Sequence, residues 1–369
     1  MDKKFVMGIA AMAALTLVSC SSDDLDSFSD NSSKNEAISF DGYLGRSAVA
    51  VNGTRGSVLE IADLKKSTEG FGVFGNYKEA NGQEFGANLF DNQQVTYKNS
   101  EWTYDGFKYW PSQGHIDFLA YAPYVKNTKL TGSSIDFTVE NEVAKQKDLL
   151  WAKADGKTKD NISTDENKVK FQFAHALSRL GYSVKLKKDC SSDATITLKK
   201  IILAGSSTGS TGAFYTNGTI NLATGNWSSL SGEQYFNWYS APTPGASETS
   251  GSQSITFTST SEKSYTNTDK EYLFVIPQEF SETATDKLYV IVEYTIQYTG
   301  VTDPATHQTA IFTNKVSKQL TTDFKQGKAY TINLTIGRPI EFDADVTPWT
   351  NTTDNKNTDI NIDSWDVIK

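Results

Sequence analysis

Hydrophobic and polar residues alternate along most of the chain with a period of two residues. The pattern is clearest in the segments AISFDGYL, GFGVFGNY, HIDFLAYAPY, KLYVIVEYTIQY and AYTINLTIG. Because successive side chains of a β-strand point to opposite faces, this period predicts strands with one buried face. Turns rich in Gly, Asn, Ser and Asp separate the strands at intervals of about 8–15 residues, which is typical of β-sandwiches.

Helical periodicity is weak by comparison. In the first half of the chain, one short candidate helix places Val58, Ile61 and Leu64 at a spacing of three residues. Long helices do not alternate with the strands, so a parallel βαβ sheet is not expected. The sequence therefore predicts an all-β fold.

The polar stretch DGKTKDNISTDENK, at 155–168, is the best candidate for a domain boundary because it has almost no apolar residues. It could also be a long hairpin loop within one domain. We predict two β-sandwich domains, at 36–165 and 166–350, followed by a C-terminal tail at 351–369. The length of 369 residues fits two domains.

The N-terminal segment has the features of an export signal. Lys3 and Lys4 precede an apolar run from Phe5 to Val18, which is too short for a membrane-spanning helix of about 20 residues. The sequence LVSC, at 17–20, resembles the lipobox of bacterial lipoproteins.

The lipobox resemblance implies that a signal peptide at 1–19 is removed and that the thiol of Cys20 carries a diacylglycerol. Residues 20–35 are then expected to form a flexible tether to the outer membrane. Each buried CH₂ of an acyl chain contributes about 0.8 kcal/mol, so two or three chains hold a folded domain at a bilayer. The alternatives are an ordinary secretory signal with an incidental cysteine, or a signal anchor.

The charge of the chain bears on its partners. The formal net charge is −9, and the removed segment 1–19 has one acidic and two basic residues, so the mature chain carries −10. A diffuse acidic balance argues against nucleic-acid binding and favours simple solubility. No nucleic-acid partner is therefore expected.

No constellation of residues predicts catalysis. The sequence GSSTG, at 205–209, matches the G-x-S-x-G pattern of α/β-hydrolases, but that motif needs a helix directly after it. The segment that follows is rich in Gly and Thr and returns to strand alternation, so a loop is expected. The three histidines, His115, His175 and His307, have no second His or Cys at a metal-ligand spacing. We expect no enzyme activity, metal or cofactor, and a buried, hydrogen-bonded imidazole at His175.

The segment WTYDGFKYW, at 102–110, contains five aromatic residues. A carbohydrate-binding platform would need several of these rings to be exposed on one surface. We favour a role in the core, because Trp102 and Tyr104 alternate with polar residues as in a half-buried strand.

Several segments taken together resemble the fimbrillin-like lipoproteins of Bacteroidales, which build the cell-surface fimbriae called type V pili. These segments are ISFDGY, TRG, GFGVFGNY, WTYDGFKYWP, HIDFLAYAPY, DLLWAKA, VKFQFAHALSRL, YLFVIPQ and AYTINLTIGRPIEFDADVTPW. The likeness runs from about residue 36 to Trp349, which is nearly all of the mature chain. It implies a fold of two transthyretin-like β-sandwich domains.

The resemblance also implies a maturation step. In the family, an arginine-specific protease cuts near the start of the first domain and releases the lipid together with the first β-strand. Two candidate cleavage sites are Arg55, in TRG, and Arg46, in GRS; we prefer Arg55, although each could be an ordinary surface arginine. The removable strand would contribute Ile38, Phe40 and Leu44 to the core.

A strand from a neighbouring subunit would then fill the emptied groove by adding to the edge of the sheet. The donated strand must present apolar side chains at period two. Two C-terminal segments do so, and each could be donated or could pair within its own domain. The first presents Ile340, Phe342, Ala344 and Val346, and the second presents Ile360 and Ile362.

These inferences predict a structural or tip subunit of a fimbrium that serves adhesion. The expected partners are other fimbrial subunits, in a homo- or heteropolymer, and a host or bacterial surface ligand. The precursor would be lipid-anchored at the cell outer membrane, and the processed subunit would lie in the fimbrium. The alternative is a permanently lipid-anchored surface lipoprotein, either a fimbrial anchor or a glycan-binding adhesin.

Overall fold

A computed structural model describes eleven stretches of the chain. They are 37–44, 59–79, 85–162, 166–186, 194–242, 254–258, 264–266, 271–336, 341–348, 358–362 and 366–367. The expected signal peptide, the tether, Cys20, Arg46, Arg55 and Ile340 lie outside these stretches, so the expectations placed on them stay predictions. No helix in the described stretches has the length and apolar character needed to cross a membrane.

The regular secondary structure of the described residues is nearly all β-strand, as the period of two residues predicts. The strands of the first part are β1 Phe40–Leu44, β2 Phe71–Lys78, β3 Phe90–Lys98, β4 Glu101–Thr103, β5 His115–Ala122, β6 Ser134–Thr138, β7 Leu150–Lys157 and β8 Val169–His175. A short helix α1, Ile61–Lys66, confirms the candidate helix of the first half, and a 3-10 turn covers Val143–Lys145.

Sixteen further strands follow in the described residues. They are β9 Ser178–Leu186, β10 Ala194–Ala204, β11 Phe214–Asn221, β12 Trp227–Gln234, β13 Phe236–Ser240, β14 Thr256–Phe257, β15 Ser264–Thr266, β16 Leu273–Val275, β17 Gln278–Glu279, β18 Leu288–Thr302, β19 Thr309–Leu320, β20 Asp323–Phe324, β21 Lys328–Ile336, β22 Glu341–Pro348, β23 Thr358–Ile362 and β24 Asp366–Val367.

The first sheet has seven strands in the order β1-β8-β7-β5-β2-β3-β4. All neighbouring strands in it are antiparallel except β1 and β8, which are parallel. The strand β1 therefore lies at one edge of the sheet, and β8 is its strand neighbour.

The later part of the chain forms two larger sheets and two small ones. The larger sheets have the orders β13-β10-β18-β19-β24 and β15-β9-β21-β22-β23, with β14 also paired to β10 and β16 to β9. Alternate residues of β9 and β21 pack in the same core as those of β10 and β18, so the two sheets form a sandwich. The small sheets are β12-β11-β6 and β17-β20.

Two hydrophobic cores dominate the described residues. The N-terminal core contains residues from β1, α1, β2, β3, β5, β7 and β8. The larger core begins in sequence order with Phe74, Leu119 and Tyr121, which lie in the first sheet. It continues with Ile135, Val139 and Leu149, and then from Ala176 through β21.

The expected division between residues 165 and 166 stays a prediction, and the strand pairings add detail to it. The strand β8 follows that position but pairs with β7 and β1 and contributes Val169, Phe171 and Phe173 to the N-terminal core. Conversely, β6 precedes the position but pairs with β11. After β8 ends at His175, none of the described residues contributes to the N-terminal core.

Candidate functional site

The N-terminal strand β1 fills an apolar slot at the edge of the first sheet. Phe40, only 1% exposed, lies at its centre. Its ring centroid is 5.4 Å from that of Phe90, 5.5 Å from Tyr104, 5.6 Å from Phe118 and 5.7 Å from Phe171. Aromatic pairs at such distances add to the free energy gained by burial alone.

The other inward-facing residues of the segment 38–44 have side chains of different sizes. Ile38 is 1% exposed, and Leu44 is partly buried against the same core. Between Phe40 and Leu44, Gly42 is buried, and a Cβ atom at this position would lie 3.0 Å from Cε2 of Phe173. The slot therefore accepts two large side chains, then a small one, then an aliphatic one.

On one side, β1 is held by the parallel pairing with β8. Phe40 pairs with Val169, and the register continues to Leu44, which pairs with Phe173. The N–H group of Val169 donates a hydrogen bond of 2.8 Å to the carbonyl oxygen of Ser39. This ladder fixes the direction and the register of any strand in the slot.

On the other side, the start of the strand is held by a loop segment at 104–110, here called the strap. The N–H group of Ile38 donates to the carbonyl oxygen of Lys108 at 2.7 Å. The Tyr104 hydroxyl donates to the carbonyl oxygen of Ile38 at 2.7 Å and accepts from the N–H group of Lys108 at 3.2 Å. Ala37 and Tyr109 form an antiparallel bridge.

Burial raises the pKa of the Tyr104 hydroxyl, although the hydrogen bond from the N–H group of Lys108 partly opposes the rise. The hydroxyl therefore stays protonated, and can donate to Ile38, throughout the physiological pH range. The strap thus adds a specific donor to the slot.

The segment 37–44, which is β1 together with the three residues before it, is held differently at its two ends. Residues 37–39 have hydrogen-bonding neighbours on both sides, the strap and β8, whereas the strand Phe40–Leu44 pairs with β8 alone among the described residues. Complete burial of Ile38 and Phe40 stabilises the seated strand by about 3–6 kcal/mol in total. Phe40–Leu44 is therefore the end of the segment that has fewer backbone hydrogen-bonding neighbours among the described residues.

The two candidate donor segments lie in a different sheet from the slot. The strand β22 lies between β21 and β23, and its residues Phe342, Ala344 and Val346 pair with Leu334, Ile332 and Tyr330. The strand β23, which holds Ile360 and Ile362, is at the edge of that sheet. Within one copy of the chain, both segments therefore pair in their own part of the fold.

The aromatic segment 102–110 divides into buried and exposed residues. Trp102 and Tyr104 are each 7% exposed and belong to the N-terminal core, as expected from their alternation. Phe107 and Tyr109, in contrast, are 66% and 55% exposed on the strap. The sequence signal for the exposed pair was the loss of strand alternation after Tyr104.

The GSSTG sequence at 205–209 follows β10 and precedes another strand, β11, rather than a helix. This arrangement lacks the strand–turn–helix that a nucleophile elbow requires. In the described residues no group of three or more His, Cys, Asp or Glu side chains is arranged to hold a metal ion.

His175 is buried and hydrogen-bonded, as its apolar surroundings predicted. Its Nδ1 atom lies 2.7 Å from Oδ2 of Asp148, which also accepts a hydrogen bond of 3.2 Å from the N–H group of Leu59. No sequence pattern points to Asp148, which lies 27 residues from His175 along the chain. The pair joins the end of β8 to the segments before β7 and α1.

The fold and the slot together define a class: an all-β protein of several sheets, whose N-terminal strand is seated in an apolar slot at a sheet edge. The fimbrillin-like family matches residues 57–349, and the chain belongs to this family. Membership indicates a role in fimbrial adhesion at the cell surface, with other fimbrial subunits as assembly partners.

Two solved structures from Bacteroides species match most of this chain. A fimbrial protein from Bacteroides vulgatus is 21% identical, with a TM-score of 0.64 over 86% of this chain and 100% of its own. A protein named as a candidate cell adhesion protein from Bacteroides ovatus is 15% identical, with a TM-score of 0.46 over 90% and 99% of the two chains. The first likeness shows the fold. No match was found among curated proteins.

Proposed function

We propose that this chain is a structural or tip subunit of a type V pilus, exported as a lipoprotein and polymerised by exchange of the strand in the slot. The observation that carries the proposal is the position of β1. It fills an apolar slot through its side chains, yet among the described residues Phe40–Leu44 pairs with β8 alone. A strand with these properties can be replaced by another of the same pattern.

Both candidate cleavage sites follow the weakly held end of β1. Arg46 is two residues beyond Leu44, and Arg55 is eleven residues beyond it. Cleavage at either arginine would separate β1 and the lipid on Cys20 from the rest of the fold. The strand would then be held in the slot by non-covalent contacts alone.

The shape of the slot favours one of the two donor candidates. Residues 38–44 have the sequence ISFDGYL and residues 340–346 have IEFDADV, so Ile, Phe and Asp recur at the same spacing. The small residue Ala344 would take the position of Gly42, and Val346 that of Leu44. The second candidate offers Ile360 and Ile362, but no large aromatic residue for the Phe40 position.

The Gly42 position makes this match specific. An added Cβ would lie 3.0 Å from the ring edge of Phe173 and 3.7 Å from Cδ1 of Ile61. A methyl group needs a shift of a few tenths of an ångström by the Phe173 ring, and a larger side chain needs a larger displacement. Because the match runs in the same chain direction, the donor would lie parallel to β8, as β1 does.

The test uses the protein trimmed after Arg55, with the released strand removed, and synthetic peptides. The peptide 339–348 is expected to bind the trimmed protein, and the same peptide with Ala344→Phe is not. The peptide 357–366 serves as the comparison for the second candidate. Binding is measured by the retention of a labelled peptide and by the rise in thermal stability that a bound strand produces.

The proposal is overturned if trimmed protein neither polymerises nor binds either peptide. Binding of 357–366 alone would retain the exchange mechanism but reassign the donor. In cells, the double variant Arg46→Ala/Arg55→Ala should keep the subunit out of fibres, and the mature surface protein should begin at Ser47 or Gly56. A mature protein that begins at acylated Cys20 would instead support a permanent lipid anchor.

A further inference from the structure

A groove lined by three lysine side chains lies beside the short helix α1. It is formed by the end of α1, the second half of β3 and the segment 103–105, and its volume is about 410 Å³. Lys65 and Lys66 line it from α1, and Lys98 lines it from the end of β3. We call this feature the lysine groove. Its volume falls within the range of about 300–1,000 Å³ that is typical of ligand sites.

The charge of the lysine groove is opposite to that of the chain. Among the described residues that line it, Asp105 is the one carboxylate, so three lysines and one carboxylate give +2. The whole chain carries −9. None of the three lysines forms an ion pair with a described residue, whereas Lys145 and Lys153, elsewhere on the surface, lie 2.7 Å and 2.8 Å from a carboxylate oxygen. The groove therefore offers an anion a local attraction on an acidic protein.

The walls of the groove are held in place by polar and aromatic contacts. The side-chain amide of Gln94 donates to the carbonyl oxygens of Thr68, at 3.1 Å, and Glu69, at 2.9 Å. These two hydrogen bonds join the loop after α1 to β3. The Lys65 ammonium lies 4.8 Å from the centroid of the Tyr97 ring, a cation–π contact that fixes its position. Because the walls are preformed, little ordering of the protein opposes binding.

The uncharged part of the lining is polar rather than aliphatic. Hydroxyl and amide groups come from Ser67, Thr68, Gln93, Thr96 and Thr103. The described residues place no Ala, Val, Leu, Ile or Met side chain in this lining. A site for an extended peptide usually has apolar pockets for alternate side chains, and such pockets are missing from the described lining. Hydroxyls and amides instead donate and accept hydrogen bonds with a ligand that is itself rich in hydroxyl groups.

We propose that the lysine groove binds an acidic oligosaccharide. Its carboxylate or sulfate groups lie on the lysine ammonium groups, where hydrogen bonds are charge-assisted, and its hydroxyl groups lie on the hydroxyl and amide side chains. The charge selects an anion, and the polar lining selects a sugar. The inference adds a ligand class to fimbrial adhesion and does not depend on strand exchange, so the two proposals can fail separately.

The test is isothermal titration calorimetry on the chain from Ser21 onwards, which contains every described residue. The ligands are a chondroitin sulfate tetrasaccharide, a hyaluronan tetrasaccharide and neutral chitotetraose. We expect an acidic tetrasaccharide to bind and the neutral one not to bind. Comparison of the two acidic ligands shows whether carboxylates are sufficient or whether sulfate is needed, and either result supports the inference.

The groove variant is Lys65→Gln/Lys98→Gln, which should lower the affinity at least about tenfold, because it removes two charge-assisted hydrogen bonds. The single variant Lys66→Gln gives a second reading that leaves the contact between Lys65 and Tyr97 in place. The matched control is Lys145→Gln/Lys153→Gln, which removes the same charge outside the groove. At about 0.15 M salt, where exposed charges are screened beyond about 8 Å, this control should change the affinity less than about twofold.

Thermal melts of all the variants check that the fold is retained. Equal weakening in the groove and control variants would mean a general attraction to positive charge, and it would overturn the inference. Failure of both acidic tetrasaccharides to bind would do the same. Equal binding of chitotetraose would remove the role of charge, and equal binding of the acidic peptide tetraglutamate would reassign the groove to a protein ligand. The assay uses unassembled protein, so none of these results bears on strand exchange.

Discussion

Removal of the Tyr104 hydroxyl tests whether the strap holds β1. The variant Tyr104→Phe deletes the donor to the Ile38 carbonyl oxygen, at 2.7 Å, and the acceptor of the Lys108 N–H group, at 3.2 Å. A buried polar group left without its hydrogen-bond partner lowers the stability of the protein by about 1–3 kcal/mol. Because Tyr104 is only 7% exposed, water cannot readily replace the hydroxyl. We expect a loss of about 1–3 kcal/mol in the free energy of unfolding.

The assay is urea denaturation of the chain that still contains β1, and unfolding is monitored by intrinsic fluorescence. The matched control is Tyr97→Phe, the same deletion on the neighbouring hairpin. The Tyr97 ring packs at 5.1 Å from Trp102 and beneath the Lys65 ammonium at 4.8 Å, and its hydroxyl has no hydrogen bond to the described residues. This control is expected to change stability by less than about 0.5 kcal/mol.

The same pair of variants is then compared in protein trimmed of β1. Without Ile38 present, the Tyr104 hydroxyl has lost its acceptor, so Tyr104→Phe should have a smaller effect there than in the intact chain. The difference between the two effects is the coupling between the hydroxyl and β1. Equal effects in the intact and trimmed proteins would refute the role of the strap.

Two further predictions concern the slot and the first sheet. Gly42→Leu should loosen β1, because the added side chain meets the Phe173 ring at 3.0 Å, and limited proteolysis should then cleave β1 faster than in the parent. Asp117→Asn should lower stability at pH 7 by about 1–2 kcal/mol. Burial raises the pKa of Asp117, but the Lys78 ammonium at 2.8 Å and the Gly156 N–H group outweigh it and lower the pKa. This stabilisation is present above the ordinary Asp pKa of about 4 and is lost as pH falls below it, so the gap between variant and parent in urea melts should close in acid. A gap that persists at low pH would contradict this account.

The sequence predicted those features that depend on local periodicity. The alternation around Ile38, Phe40 and Leu44 predicted one inward face for this segment, and the structure buries the first two and partly buries the third. The three-residue spacing before Lys66 predicted α1. In each case the side-chain pattern alone selects the secondary structure and its buried face.

The sequence did not predict which segments become neighbours. The strand β1 pairs with β8, some 130 residues away, and in the parallel direction. Neither the partner nor the direction is encoded in a period-two pattern, because any strand with an apolar face satisfies it. The sequence did not predict the strap for a related reason. Lys108 contacts Ile38 through its backbone carbonyl oxygen, and a backbone contact leaves no signal in the residue type.

The two ends of the segment 37–44 are held unequally, and this explains how a seated strand could be both stable and replaceable. While the chain is intact, a strand tethered to its own slot competes at an effective concentration in the millimolar range, so a neighbour's strand is at a disadvantage. Cleavage after Leu44 removes that tether. Burial of Ile38 and Phe40, about 3–6 kcal/mol, then corresponds to a dissociation constant between about millimolar and tens of micromolar, before any loss of freedom is counted. A strand held so weakly leaves in dilute solution, beginning at Phe40–Leu44, which in the described part of the chain pairs with β8 alone. A donor strand that is still attached to its own folded subunit can then take the slot that the released strand leaves.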